Sequence, residues 1–185
     1  MKIAVSGAHR VGKTTLIEEL ARAFPSCAAV DEPYHLLAEE GHEFAEMPSV
    51  EDFELQLERS IECMAEAQEN QLFDRCPADI LAYLMTHRDS DEFDVEPWLQ
   101  RVRSAMQRLD LVIFVPVEHP DRIIVSESDR GRLRRRVDEE IRAILFEDPW
   151  DFGVEVVEVT GTVRERSRYV LAQIKGDRTG RSLRR

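Results

Sequence analysis

The sequence predicts an α/β fold, a three-layer sandwich in which a parallel five-stranded sheet carries helices on both faces. Three observations predict it. Apolar runs of strand type alternate along the chain with segments of helical period. The motif Gly7-Ala8-His9-Arg10-Val11-Gly12-Lys13-Thr14, of the form G-x-x-x-x-G-K-[ST], joins the first apolar run to the first helical one. Glu32 and Asp74 each follow a predicted strand directly, so three polar features converge on strand carboxyl ends, where ligands sit in sheets of this class.

The elements follow in order. Residues 2–6 read as a buried strand and 13–24 as a helix, with Leu16, Leu20, Ala21 and Phe24 on one face. Cys27 to Val30 is a short strand ending at Asp31-Glu32-Pro33. Residues 34–46 are weakly patterned as helix. Ser49 with Asp52 has the spacing of a helix cap for a helix over 50–69, whose apolar stripe is expected to be Leu55, Ile61, Met64 and Ala65. Gln71 to Phe73 is a strand, and helices are predicted at 77–87 and 95–108. Leu111 to Val115 is the clearest buried strand. A helix is predicted over 132–146, an edge strand over 154–159, and a last helix from Thr162 to about Ile174. The expected division is one domain over 1–174, with an Arg-rich lid near 128–136, and a basic flexible tail over 175–185.

Composition bounds the function. The chain has 185 residues, enough for one buried core, and a net charge of -12, which disfavours long nucleic acid as a ligand. The sign is uneven. Arg59 is the sole Lys or Arg between Asp31 and Glu62, whereas Arg130 to Arg136 holds five arginines. A local arginine cluster in an acidic chain points to a small anionic ligand; the competing reading of Arg134 to Arg136 is exposed pairing with Asp138, Glu139 and Glu140. Cys27, Cys63 and Cys76 are too scattered for a disulfide framework, and a reducing cytoplasm is the expected setting. The first strand leaves no room for a signal peptide, and no apolar run reaches the roughly 18 residues of a membrane span.

The chemistry of the motif follows from backbone geometry. Glycines at 7 and 12 let the chain curl until successive N–H groups face one anion, and the next helix adds its dipole. Candidate nucleotide-binding residues are therefore Gly7, Ala8, His9, Arg10, Val11, Gly12, Lys13, Thr14 and Thr15. Lys13 is expected on the β/γ-phosphates and Thr14 on Mg²⁺. His9 either approaches a phosphate or shapes the turn. One of the two acids at strand ends would serve the acceptor hydroxyl and the other the metal, with Asp31 competing against Glu32 for the first role. If 132–146 is helical, Arg132, Arg135 and Arg136 share a face.

Gly7 to Thr15, Glu32-Pro33, Asp74-Arg75-Cys76-Pro77-Ala78-Asp79 with Tyr83, and the Arg130–Arg136 cluster occur in the order found in small P-loop kinases. The chain resembles the nucleoside and nucleotide kinase group, and within it the AAA-type family that contains the ribosylnicotinamide kinase domain of the bacterial NAD regulator. The resemblance implies a P-loop NTPase fold, ATP as donor and Mg²⁺ as cofactor. It implies Lys13, Glu32, Asp74, Arg75, Arg130 and Arg132 as catalytic residues, with Glu32 the base and Thr14 and Asp74 on the metal. Two departures stand out. The Leu111–Val115 strand has no acid at its end, so a Walker B carboxylate would have to be Asp74. No Arg precedes Glu32-Pro33, which argues against thymidylate.

The expected function is phosphoryl transfer from ATP to a small-molecule hydroxyl acceptor, a nucleoside or nucleotide. The alternative is an ATP-binding or slowly hydrolysing regulatory module acting on a protein partner through the Arg-rich tail. Neither a membrane nor a long nucleic acid is expected as partner, and a homodimer is left open.

Overall fold

The computed structural model describes residues 1–45, 47–118 and 129–181, with the side chains of 129–130 and 175–181 left out of the description. Five strands, β1 (Lys2–Ser6), β2 (Ala28–Val30), β3 (Gln71–Asp74), β4 (Leu111–Phe114) and β5 (Val156–Glu158), form one sheet in the order β2-β3-β1-β4-β5. All neighbours run parallel. β1 is central, and the chain builds β2 and β3 on one side of it before crossing to β4 and β5 on the other. The carboxyl end of β1 is therefore the point where the strand order reverses, the place where open sheets bind ligands.

The helices are α1 (Lys13–Ala23), α2 (Pro33–Glu39), α3 (Val50–Ala65), α4 (Pro77–Thr86), α5 (Glu96–Met106), α6 (Asp129–Arg142) and α7 (Val163–Arg181). A π turn, Ala143–Glu147, continues α6. Helix α1 packs on α7, while α4 lies between α3 and α6. Burial explains α4: Ile80, Leu81, Ala82 and Leu84 are all within the core, so the helix is apolar around its circumference and cannot face water. Among the described residues no helix is long and apolar enough to cross a membrane.

The alternation and the edge position of β5 are as the pattern predicts. Three details differ. In α3 the capping box of Ser49 and Asp52 forms, but the core stripe is Val50, Leu57, Ile61 and Met64; Leu55 and Ala65 are exposed. The helix starts one residue after its cap, and counting from there puts Leu57 in phase with Val50, Ile61 and Met64. Helix α6 begins at Asp129 rather than 132. Helix α7 passes the expected end at Ile174, because the glycines beyond it weaken a helix by about 1 kcal/mol each without forbidding it.

Candidate active site

The loop between β1 and α1 is shaped by two glycines for two reasons. A Cβ on Gly7 would lie 2.3 Å from the Val115 carbonyl oxygen, so β4 leaves space only for hydrogen. Gly12 has φ of 91° and caps α1 in the left-handed region, where a side chain is strained. The amides of Gly12, Lys13, Thr14 and Thr15 are the orphan donors at the head of α1 and form a seat for an anion.

Six consecutive carbonyls of this loop are held, four of them by arginines from elsewhere in the chain. Gly7 O accepts from Arg75 Nη1 (3.3 Å), Ala8 O from Lys13 Nζ (3.1 Å), and His9 O and Arg10 O from Arg134 Nε and Nη2 (2.9 and 3.2 Å). Val11 O accepts from Arg166 Nη1 (2.7 Å) and Gly12 O from Leu16 N (3.1 Å). Across a trans peptide the C=O of one residue and the N–H of the next point opposite ways. Fixing the oxygens outward therefore turns the following amides inward. Two of the predicted phosphate donors are nonetheless committed elsewhere. Gly7 N donates to Asp79 Oδ1 (2.8 Å) and His9 N to the Tyr83 hydroxyl (3.1 Å). These two residues shape the loop, and the anion seat lies further along it.

Asp74 ends β3 opposite Val5, and the next residue leaves the strand with φ of 77°. In an extended strand successive side chains face opposite ways. The left-handed Arg75 breaks that alternation and turns both side chains toward the loop, at a conformational cost of about 1–3 kcal/mol. Asp74 Oδ2 accepts from the Thr14 hydroxyl (2.8 Å), while Oδ1 is buried without a partner. Arg75 is buried; its Nε donates to Glu32 Oε2 (2.6 Å), and its guanidinium lies 5.1 Å from the centre of the Tyr83 ring. Asp79 is fully buried and also accepts from Cys76 N (2.9 Å). Of the two competing acids, Glu32 meets Arg75 and Asp31 is exposed.

Electrostatics at the site follow burial and these pairs. Burial works against the charged form of Glu32, but the adjoining Arg75 outweighs it and holds the carboxyl below its ordinary pKa. Burial raises Asp74 despite Lys13 and Thr14 beside it. Burial and the Arg75 charge lower Lys13 to about 8, and burial with Arg75, Arg134 and Lys13 lowers His9 to about 4. Cys76, where burial and Asp79 push the thiol up, is an inert packed side chain.

The lysine shift has a measurable consequence. Phosphates bound at Lys13 restore its ordinary affinity for a proton. Nucleotide binding at pH 8.5 is then expected to take up roughly three-quarters of a proton. Affinity should be full below pH 8 and fall as pH rises above it. Calorimetry in two buffers of different ionisation enthalpy measures the uptake, and a value near zero would contradict this placement of Lys13.

The arginine cluster differs from expectation. Arg134, read from the sequence as a candidate for surface pairing, is 3 % exposed and sits on the loop. Arg132, Arg135 and Arg136 are exposed, and Arg132 lies about 200° around the helix from Arg134. Ser128 and the tail from Ser182 lie outside the described residues, as does the side chain of Arg130. Arg166, also buried, carried no expectation; it bridges Val11 O and Glu118 Oε1 (2.9 Å). Both arginines had a signal. Each lies in phase with a buried stripe, Arg134 with Val137 and Ile141, and Arg166 with Val170 and Ile174.

Two cavities flank the loop. One of about 250 Å³ lies on the β2–β3 side and includes His9, Glu32, Tyr34, Phe53 and Arg75 in its lining. The other, about 230 Å³, lies on the β4–β5 side between Arg10, Pro116, Arg134 and Gly161. A family model described as an AAA domain matches residues 2–166 of this chain. The chain belongs to that family. No curated protein matches the sequence. Solved structures similar to this AAA domain include deoxyadenosine kinase from M. mycoides with bound dATP, at 17% identity and a TM-score of 0.62 over 95% of this chain and 100% of that one. Thymidylate kinase from Candida albicans is similar at 16% identity and a TM-score of 0.64, over 95% and 91%. A NadR protein in complex with NR is similar at 19% identity and a TM-score of 0.60, over 86% of this chain and 43% of that one. At these identities the likeness establishes the fold of the AAA domain.

Proposed function

We propose that this AAA domain is an ATP- and Mg²⁺-dependent kinase that transfers a phosphoryl group to a hydroxyl of a small-molecule acceptor, a nucleoside or nucleotide. The observation that carries the reading is the pair of cavities on opposite sides of one anion seat: Glu32 lines the β2–β3 cavity, while the carboxylate of the β4–β5 cavity, Glu118, is paired with the buried Arg166 at 2.9 Å. A donor nucleotide and an acceptor can then meet at the seat without sharing space. The similar structures named above include a deoxyadenosine kinase and a thymidylate kinase, which supports the same reading.

Each part has a role. The donor's base enters the β4–β5 cavity, and its phosphates lie on the amides at the head of α1 with Lys13 against the β/γ-phosphates. Glu32, kept ionised by Arg75, accepts the proton of the acceptor hydroxyl as its oxygen bonds to the γ-phosphorus and the bond to ADP breaks. Arg75 holds that carboxylate and the Gly7 carbonyl in one geometry. Arg134 and Arg166 keep the loop amides turned inward. A hydroxyl beside a buried carboxylate with one unclaimed oxygen suits a hard, oxygen-preferring cation, so Thr14 and Asp74 fit Mg²⁺. Among the described residues no group of three or more His, Cys, Asp and Glu side chains gathers, which leaves the other ligands to phosphate and water. When bound, the metal neutralises phosphate charge.

The test is Glu32→Gln. Turnover is expected to fall about 10²–10⁴-fold, the usual worth of a general base, while ATP is expected to raise the melting temperature of the variant and of the unaltered protein alike. Full activity in this variant would remove the base assignment. ATP binding with no phosphorylated product from any acceptor would replace the kinase with the regulatory module.

A further inference from the structure

The backbone of His9 belongs to the phosphate loop, but its ring lines the β2–β3 cavity beside Glu32 and Arg75. On the kinase reading, we propose that this ring presents its Nε2–H as a hydrogen-bond donor to an oxygen of the phosphoryl group in transfer, and that helix α4 fixes it in that tautomer through Tyr83.

The tautomer follows from the donors that meet at one oxygen. The backbone N–H of His9 donates to Tyr83 Oη at 3.1 Å, and His9 Nδ1 lies 3.2 Å from the same atom. An amide nitrogen can only donate, so the hydroxyl accepts there, and its own hydrogen has Nδ1 as acceptor. A proton on Nδ1 would aim two donors at Tyr83 Oη and leave the hydroxyl hydrogen of a buried tyrosine without a partner. The ring is neutral near pH 7, because burial and the charges of Arg75, Arg134, Lys13 and Arg10 lower its pKa to about 4. A neutral imidazole carries one proton, and here it sits on Nε2. Nε2 has no partner among the described residues. Tyr83 is itself held in place. Phe53 stacks on it with planes 13° from parallel, and the Arg75 guanidinium lies 5.1 Å from its ring centre.

Position selects what the donor meets. A phosphoryl group leaving the amides at the head of α1 for a hydroxyl held at Glu32 passes from the loop into this cavity, and His9 belongs to both. The four cations that depress the imidazole also make its surroundings a place where negative charge gathers. A fixed donor there gains strength as charge develops on the oxygens in transfer. Being neutral, it adds to the site without repelling Arg75 or Arg134.

The experiment labels the histidines of the full chain with nitrogen-15 and records imidazole spectra at pH 7, the His9 signals being those missing from His9→Gln. A proton on Nε2 with Nδ1 bare is expected, and Tyr83→Phe should move part of the population to Nδ1–H. Calorimetry then gives the Kd of β,γ-methylene-ATP and of ADP, each with Mg²⁺. His9→Phe keeps a planar ring and the backbone bond to Tyr83; it should weaken the triphosphate about tenfold and ADP by less than about twofold. His9→Gln, which restores a neutral N–H donor, should recover most of that loss. A proton on Nδ1, or equal effects on the two nucleotides, would overturn the role of His9 and leave the kinase standing. Failure of the unaltered protein to bind either nucleotide would overturn both.

Discussion

Lys13→Ala is expected to lower turnover by about a thousandfold or more without unfolding the protein. The activity loss has a local cause. Lys13 Nζ sits at the loop on the Ala8 carbonyl, the one ammonium among the described residues positioned to meet phosphate charge as it shifts during transfer. The stability expectation is less obvious and comes from the same burial. The unfolded chain holds the lysine proton up to its ordinary value of 10.5, whereas the folded protein releases it at about 8. Between those values the unfolded state binds more protons, so stability of the free protein rises with pH across that window. Below pH 8 the buried charge costs on the order of 3 kcal/mol. Alanine removes that cost and leaves one loop carbonyl without its partner, a loss of about 1 kcal/mol. The variant should therefore melt no lower than the unaltered protein at pH 7, and its melting temperature should lose the rise between pH 8 and 10.5. ATP consumption and melting curves measure both. Retained turnover would show that Lys13 does not meet the phosphates.

Arg75→Ala is expected to produce the largest loss of stability, about 3 kcal/mol, together with at least a hundredfold loss of turnover. Its guanidinium satisfies Glu32 and Gly7 O at once and lies beside the fully buried Asp79. Removing it leaves a largely buried carboxylate without its counter-charge, and a strained backbone at φ 77° with nothing left to hold. The pH profile separates this from general damage. Burial would then be opposed at Glu32 by Lys13 and His35 only, and its pKa rises from its depressed value. The acid limb of kcat/KM should shift to higher pH. Arg75→Lys keeps the charge without the fork and should recover part of both losses. Glu32→Ala combined with Arg75→Ala should cost less than the sum of the two. Unchanged urea midpoints with an unchanged acid limb would dissolve the pairing on which the acceptor side depends.

These expectations rest on residues of unequal visibility in the sequence. Gly7, Gly12 and Lys13 are legible because a backbone that must curl around an anion restricts residue types at fixed spacing. Glu32 and Asp74 are legible as acids at strand ends. Asp79 had a readable sign in Cys76-Pro77-Ala78-Asp79, a proline at the first helical position and an acid at the third, but this spacing says only that a helix begins. The structure adds that the same carboxylate holds the amide of Gly7, 72 positions away.

Arg134 and Arg166 show where a linear reading stops. Arg134 stands four residues before Asp138, a spacing that suits an exposed pair equally well, and for both arginines the choice depends on which helix face meets the loop. That face is fixed by α4 packed between α3 and α6, and by α7 lying on α1.

The sequence alone determined the alternation of strand and helix, the phosphate-binding turn and the two acids, because each rests on short-range geometry or on periodic burial. Only the tertiary structure decided which arginines face the loop, which of its amides remain for an anion, and that two cavities fall on opposite sides of it. Those facts depend on contacts between residues 72 to 155 positions apart, and such contacts leave no periodic trace along the chain.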